Sequence, residues 1–244
     1  MALQSGFEAS HVSAEHFDVA VCLRGHGPVL RVYIEGDGKA WLSKRRPSVD
    51  PTPENPVAFH LASIDPFSVV GYLARPCQFV CDDSRRNCRV PVWTSARFSE
   101  PVVADMDVVL ETLKSRAKAS RLELVGYSGG GAIALLLAAR RTDVDSVITI
   151  AGNLDHAFWT TLHHVSPLRN SLNPADFSYR LEAIPQIHIV STDDTVMPPT
   201  VAAKYVGRFE DPQHVKIMTV DGISHGGDWG AVVSEVLTTV ERSQ

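Results

Sequence analysis

The chain has 244 residues, 44% of them hydrophobic and 21% charged, with a formal net charge of -5. That length supports one sizeable core, the apolar fraction argues against disorder, and the acidic balance argues against a nucleic-acid partner. No apolar run reaches the ~18 residues that span a bilayer, so no transmembrane segment is expected, and the N-terminal stretch lacks the basic and apolar regions of a signal peptide.

In chain order, short β-branched runs alternate with longer helical patterns, which predicts βαβ units and a mostly parallel sheet. The runs at 17–25 and 29–38 read as strands close enough to pair through the turn Gly25-His26-Gly27-Pro28. The basic cluster Lys44-Arg45-Arg46 reads as a solvated loop, and a proline-rich loop follows from Pro47 to Pro56. Val57, Leu61 and Ile64 then recur at helical spacing, and "FSVVGYLARP" reads as a buried strand stopped by Pro76. Residues 77–98 are polar and irregular. They hold Cys77, Cys81 and Cys88, in a C-x3-C-x6-C spacing, while Cys22 stands apart. The spacing does not suit a zinc knuckle, so no metal site is expected. A disulfide from Cys88 to Cys77 or to Cys81 fits the spacing as well as free thiols do, and its presence would point to an oxidising compartment.

A helix is predicted from about Ser99 to Lys118, with Ser99 as N-cap and Val102, Val103, Met106, Val109, Leu110 and Leu113 as its apolar stripe. "RLELVGY" is the next strand, "GGGAIALLLAARR" a mostly apolar helix, and 144–152 a strand. Residues 153–185 read as irregular with one or two short helices, enough for a small lid but not for a large cap domain. Strands follow at 186–191 and 214–222, separated by a helix near 201–209, and a closing helix spans about 229–240. The whole reads as one α/β domain over 1–244, with roughly seven or eight strands and helices on both faces of the sheet.

"GYSGG", residues 126–130, fits G-x-S-x-G at the join of a strand and a helix. Such a corner forces Ser128 into strained backbone geometry, tolerates only small neighbours, and lifts the hydroxyl to a helix N-terminus. Strain of about 1–3 kcal/mol persists where something requires it, which makes Ser128 a candidate nucleophile. Serine needs a base and an orienting carboxylate. "QIHIVSTDDTVMPP" ends its strand at Asp193-Asp194 and offers the acid. "HVKIMTVDGISHGGDW" delivers His225 to the loop after the last strand and offers the base.

These residues, in this order, give the chain a resemblance to the α/β-hydrolase superfamily from about Phe17 to Val240. The resemblance implies that fold, with a triad of Ser128, Asp194 and His225. "STDDTVMP" resembles the acid loop G-x-x-D-x-x-V-P, with Ser191 for the glycine and Met197 for the valine. It puts Asp194 in the acid position, with Asp193 as the alternative. "GISHGGDW" is similar to G-x-x-H-x-x-x-W. "YIEGDG", "DPFSVVGYLARPCQ", "WTSARFS" and "GNLDH" also resemble stretches of poorly characterised bacterial hydrolases, some of them lipoproteins. The compartment therefore stays open between cytoplasm, periplasm and a lipid anchor.

The resemblance further implies an oxyanion hole, with one backbone N–H from Gly129 and a second from the loop after an early strand. "IEGDG" stands there, with Glu35 in place of the usual histidine. Asp37 is the expected second donor and Gly38 the alternative, although Asp-Gly also reads as a plain hairpin turn. The Asp37 carboxylate would have to point away from the developing charge. The implied function is hydrolysis of small to medium carboxylic esters through an acyl-enzyme, with a small-molecule ester as partner and no metal or organic cofactor. A peptidase, amidase or acyl transferase on the same triad is one alternative, and a catalytically silent binding protein is another. Phe158, Trp159, Leu162 and Leu168 read either as an acyl pocket or as packing.

Overall fold

A computed structural model describes residues 5–43, 45–81 and 85–241. The chain begins with strands β1 (Glu8–Ser13), β2 (Asp18–Arg24) and β3 (Val29–Ile34), then a small antiparallel pair, β4 (Trp41–Ser43) and β5 (Arg46–Pro47). Helix α1 (Val57–Ile64), strand β6 (Val70–Leu73) and helix α2 (Glu100–Arg116) follow. Strand β7 (Arg121–Tyr127) leads into helix α3 (Gly129–Ala138), and β8 (Val144–Ile150) into α4 (His156–Leu162) and α5 (Ser178–Leu181). The last elements are β9 (Gln186–Ser191), α6 (Pro199–Val206), β10 (Val215–Val220) and α7 (Gly230–Glu241).

Among the described residues, eight strands form one sheet in the order β1-β2-β6-β3-β7-β8-β9-β10. All neighbours from β6 to β10 pair in parallel, while β2 runs antiparallel to both β6 and β1. Alternation along the central strands fills both faces. Leu30, Val32, Ile34, Leu122 and Leu124 pack under α2 and α3, against Met106, Leu113, Ile133 and Leu137. Tyr33, Tyr72, Val125 and Ile148 face the other way, against Phe59 and Leu61 of α1 and Val233 and Leu237 of α7. Arg31 shares the Tyr33 side of β3 and is buried, so its charge is matched twice, by Asp65 at 3.1 Å and Glu123 at 2.7 Å.

The early hairpin expected through Gly25–Pro28 does not form. Strand β6 inserts between β2 and β3, with Val70 paired to Arg24 on one side and Arg31 on the other. Gly25 makes room for it: φ is +79°, and a Cβ there would fall 2.0 Å from the Ser68 carbonyl oxygen. Strand β1 has no counterpart in the sequence reading. Of its six residues only Val12 is buried, so it carries no apolar alternation and exists through its pairing with β2. Ser99 does precede α2, but its side chain makes no cap bond; Pro101 needs no donor and Glu100 supplies the negative charge at that end. The disulfide joins Cys77 to Cys88, leaving Cys22 and Cys81 free. Among the described residues, no helix is long and apolar enough to cross a membrane.

Candidate active site

The parallel strands deliver their C-terminal ends to one rim, where side chains from four connections meet. Strand β7 ends at Tyr127, and Ser128 turns the chain into α3 with φ 51° and ψ -119°. The corner is tight because backbone passes on every side. A Cβ on Gly126 would fall 2.4 Å from the Gly130 carbonyl oxygen, and one on Gly130 would fall 2.1 Å from that of Ile34. Ser128 N donates to Ile150 O at 2.9 Å, and its own carbonyl accepts from Gly131 N and Asn153 N, both at 3.0 Å. The strained residue is thus bonded to β8 and to the start of the 153–185 segment.

Its hydroxyl lies 3.0 Å from His225 Nε2, and His225 Nδ1 lies 2.8 Å from Asp194 Oδ2. Asp194 is fully buried, and its other oxygen accepts the amides of Val196 and Met197, each at 2.8 Å. Burial works to raise its carboxyl pKa, but the His225 contact and the two amides outweigh burial and hold it below the usual carboxylate range. Asp193 is exposed and turns elsewhere, accepting from Gly222 N at 2.6 Å and Thr192 Oγ1 at 3.1 Å. Of the two adjacent acids, Asp194 is the one that meets the histidine.

Two anchors of His225 escaped the sequence reading. Its carbonyl accepts from Tyr127 Oη at 2.8 Å and from Trp229 Nε1 at 3.1 Å, and the Tyr127 ring lies 5.3 Å from the imidazole. The tryptophan of "GISHGGDW" therefore fixes the histidine loop from the helix that follows it.

No family model and no curated protein matches the sequence. Solved structures do match. Est1E from Butyrivibrio proteoclasticus, in its complex with ferulic acid, superposes with a TM-score of 0.70 at 13% identity, covering 97% of this chain and 99% of that one. An alpha-beta serine hydrolase homologue from Coxiella burnetii gives 0.63 at 17% identity, covering 97% and 96%. XC6422 from Xanthomonas campestris, described as an a/b serine hydrolase without lid, gives 0.63 at 15% identity, covering 97% and 94%. The chain has the α/β-hydrolase fold.

Within this α/β-hydrolase fold, the loop after β3 forms the wall opposite Ser128. Glu35 is buried and accepts from Gly36 N at 3.0 Å, Tyr72 Oη at 3.2 Å, and Ala58 N and Phe59 N at 3.4 Å. Helix α1 has no side-chain cap of its own, so Glu35 supplies the negative group at its N-terminus. Burial pushes the Glu35 carboxyl pKa up, and these four bonds pull against that rise. Gly36 touches the Ser128 corner, since a Cβ on it would fall 3.3 Å from Ser128 Cβ. Gly129 touches Asp37, whereas Gly38 abuts Pro51 and Gln78. The amides of Gly129 and Asp37 make no hydrogen bond among the described residues.

The cleft over Ser128 and His225 encloses about 650 Å³. Its apolar lining comes from Trp41 on β4, from Pro53, from Val196 and Met197 in the loop after β9, and from Trp159 on α4. Of the four aromatic and aliphatic residues singled out in 153–185, only Trp159 lines it, held by a 2.8 Å bond from Nε1 to Val196 O. Leu168 is buried in the core and Leu162 is exposed. Among the described residues, no group of three or more His, Cys, Asp or Glu side chains is placed to hold a metal ion.

Proposed function

We propose that the protein is a serine hydrolase that cleaves carboxylic esters of small to medium acyl chain through an acyl-enzyme. The observation that carries this reading is the pair of contacts from Ser128 Oγ to His225 Nε2 at 3.0 Å and from His225 Nδ1 to Asp194 Oδ2 at 2.8 Å. The two serine hydrolases among the fold neighbours support it at the level of the scaffold. In this reading the chain is a single catalytic domain, and 153–185 is a small lid that contributes Trp159.

His225 takes the Ser128 proton as the oxygen attacks the ester carbonyl, and Asp194, kept ionised by its surroundings, stabilises the imidazolium. The carbonyl oxygen gathers negative charge and is met by the Gly129 and Asp37 amides, each worth roughly 2.7–4 kcal/mol by analogy with a measured donor. The α3 N-terminus lies under the same oxygen and favours the charge. His225 returns the proton to the leaving alcohol, and a water then repeats the sequence to free the acid. A cleft of about 650 Å³ suits a compact acyl group.

A fluorophosphonate probe is expected to label the protein once, with labelling and hydrolysis both lost in Ser128→Ala. Across p-nitrophenyl esters of increasing chain length, the rate should peak at short to medium acyl groups. Absence of labelling in the intact protein would overturn the hydrolase reading. A rate rising steadily to long chains would overturn only the acyl preference, and faster release of amine from matched amides would move the assignment to an amidase.

A further inference from the structure

The Asp37 side chain poses a difficulty for the mechanism, because a carboxylate beside the oxyanion hole opposes the charge that forms there. The structure places it against the hole: a Cβ on Gly129 would fall 2.2 Å from Asp37 Oδ1. It is not alone. Asp37 Oδ1 accepts from Arg75 Nη1 at 3.1 Å, and Oδ2 accepts from Arg97 Nη1 at 2.6 Å. The side chains of Arg75 and Arg97 are only 5% and 9% exposed, so solvent screens these contacts little.

Resting on the serine-hydrolase reading above, we propose that Arg75 and Arg97 convert the Asp37 carboxylate from an opponent of the reaction into a fastening for the oxyanion hole, and leave that wall with a net positive charge. Two cations and one anion make up the cluster, and the balance faces the carbonyl oxygen of the substrate. Arg97 lines the cleft itself. Its Nε is bound to Thr94 O at 2.7 Å and Nη1 to Asp37, while Nη2 makes no hydrogen bond among the described residues. Arg75 Nη2 donates to the Arg97 carbonyl, which ties the two arginines to each other. Gln78 Nε2 donates to Gly36 O at 3.0 Å and holds the same loop from its other end. Burial works to raise the Asp37 pKa, but the charges of Arg97 and Arg75 outweigh it, so the carboxyl stays ionised and the fastening persists at neutral pH. Arg75 and Arg97 are positioning residues in this scheme. They act on the reaction through the Asp37 loop and through their field.

The test uses Arg97→Gln, which keeps donors but removes the charge, and the double variant Asp37→Asn with Arg97→Gln, which removes one charge of each sign. Fluorophosphonate titration counts competent sites, and a trifluoromethyl ketone matched to the acyl chain reports affinity for the oxyanion. In Arg97→Gln, kcat and ketone affinity are each expected to fall roughly 10- to 100-fold, with KM within about threefold of wild type. The double variant restores the net positive wall, and the amide oxygen introduced at 37 can still accept from Arg75 and hold the loop. It is therefore expected to return to within about tenfold of wild type on both readouts. Wild-type kcat and ketone affinity in Arg97→Gln would overturn the proposal. So would a loss confined to KM or to the labelled fraction, or a double variant impaired beyond tenfold. If the single variant fails to fold, the double variant still decides by that same limit. A wild-type protein that neither labels nor hydrolyses esters defeats the functional reading itself, and this inference falls with it.

Discussion

At the scale of single residues, the site depends on which of two adjacent carboxylates faces the imidazole. Asp194 is buried against His225, while Asp193 is exposed and occupied with the Gly222 amide. Asparagine at 194 presents an amide where His225 Nδ1–H needs an acceptor and so favours the wrong tautomer. Asp194→Asn should lower kcat by about 10³–10⁴-fold with the fold intact. Asp193→Asn should change kcat by less than about fivefold, since it leaves the imidazole untouched. Steady-state kinetics on the two variants separates them, and the reverse ranking would reassign the acid. The order strand, Asp-Asp, strand, His was legible because each residue lies in the loop that follows its own strand. The choice within the pair rested on loop resemblance, because both carboxylates are chemically equivalent until the turn at 193–197 points one inward.

At the scale of elements, strand β9 carries a second histidine with a different physical role. His188 is fully buried, bonded through Nδ1 to Thr149 Oγ1 on β8 at 2.8 Å and packed edge-on to Tyr205 of α6. Burial lowers its pKa from 6.5 to about 3. The unfolded chain therefore binds a proton that the folded chain refuses. The stability from neutral His188 is complete above pH ~6.5 and declines by about 1.4 kcal/mol per pH unit as the pH falls toward 3. Urea unfolding of His188→Gln between pH 7 and 4.5 should show a slope shallower by about that amount, whatever its stability at pH 7. An unchanged slope would place the proton uptake elsewhere. Strands such as β9 were readable from their apolar runs, but β1 and the insertion of β6 beside β2 were not. Both depend on pairing between distant segments, which periodicity does not encode.

At the scale of the whole molecule, the Cys77–Cys88 bond closes a loop spanning 11 positions beside the site wall. Arg75 and Gln78, which hold Asp37 and Gly36, flank its first cysteine. Removing the cross-link is expected to cost about 3 kcal/mol through the freer unfolded chain. Thermal melts of Cys77→Ser and Cys88→Ser should show that loss, and a reductant should destabilise the wild type but neither variant. Thiol labelling of the denatured, unreduced wild type should find only Cys22 and Cys81 reactive. Labelling of all four would show that the bond is absent.

The amino-acid sequence by itself determined the alternation of strands and helices, the corner at Ser128, and the placing of an acid and a histidine after later strands. These are local facts, written in spacing, glycine content and element ends. Only the tertiary structure decided what surrounds them. Glu35 reaches a helix 23 positions away, and Asp37 is clasped by arginines 38 and 60 positions on. Such contacts arise where a sheet brings distant loops to one rim. Burial then leaves each charge stable only where hydrogen-bond donors or an opposite charge meet it.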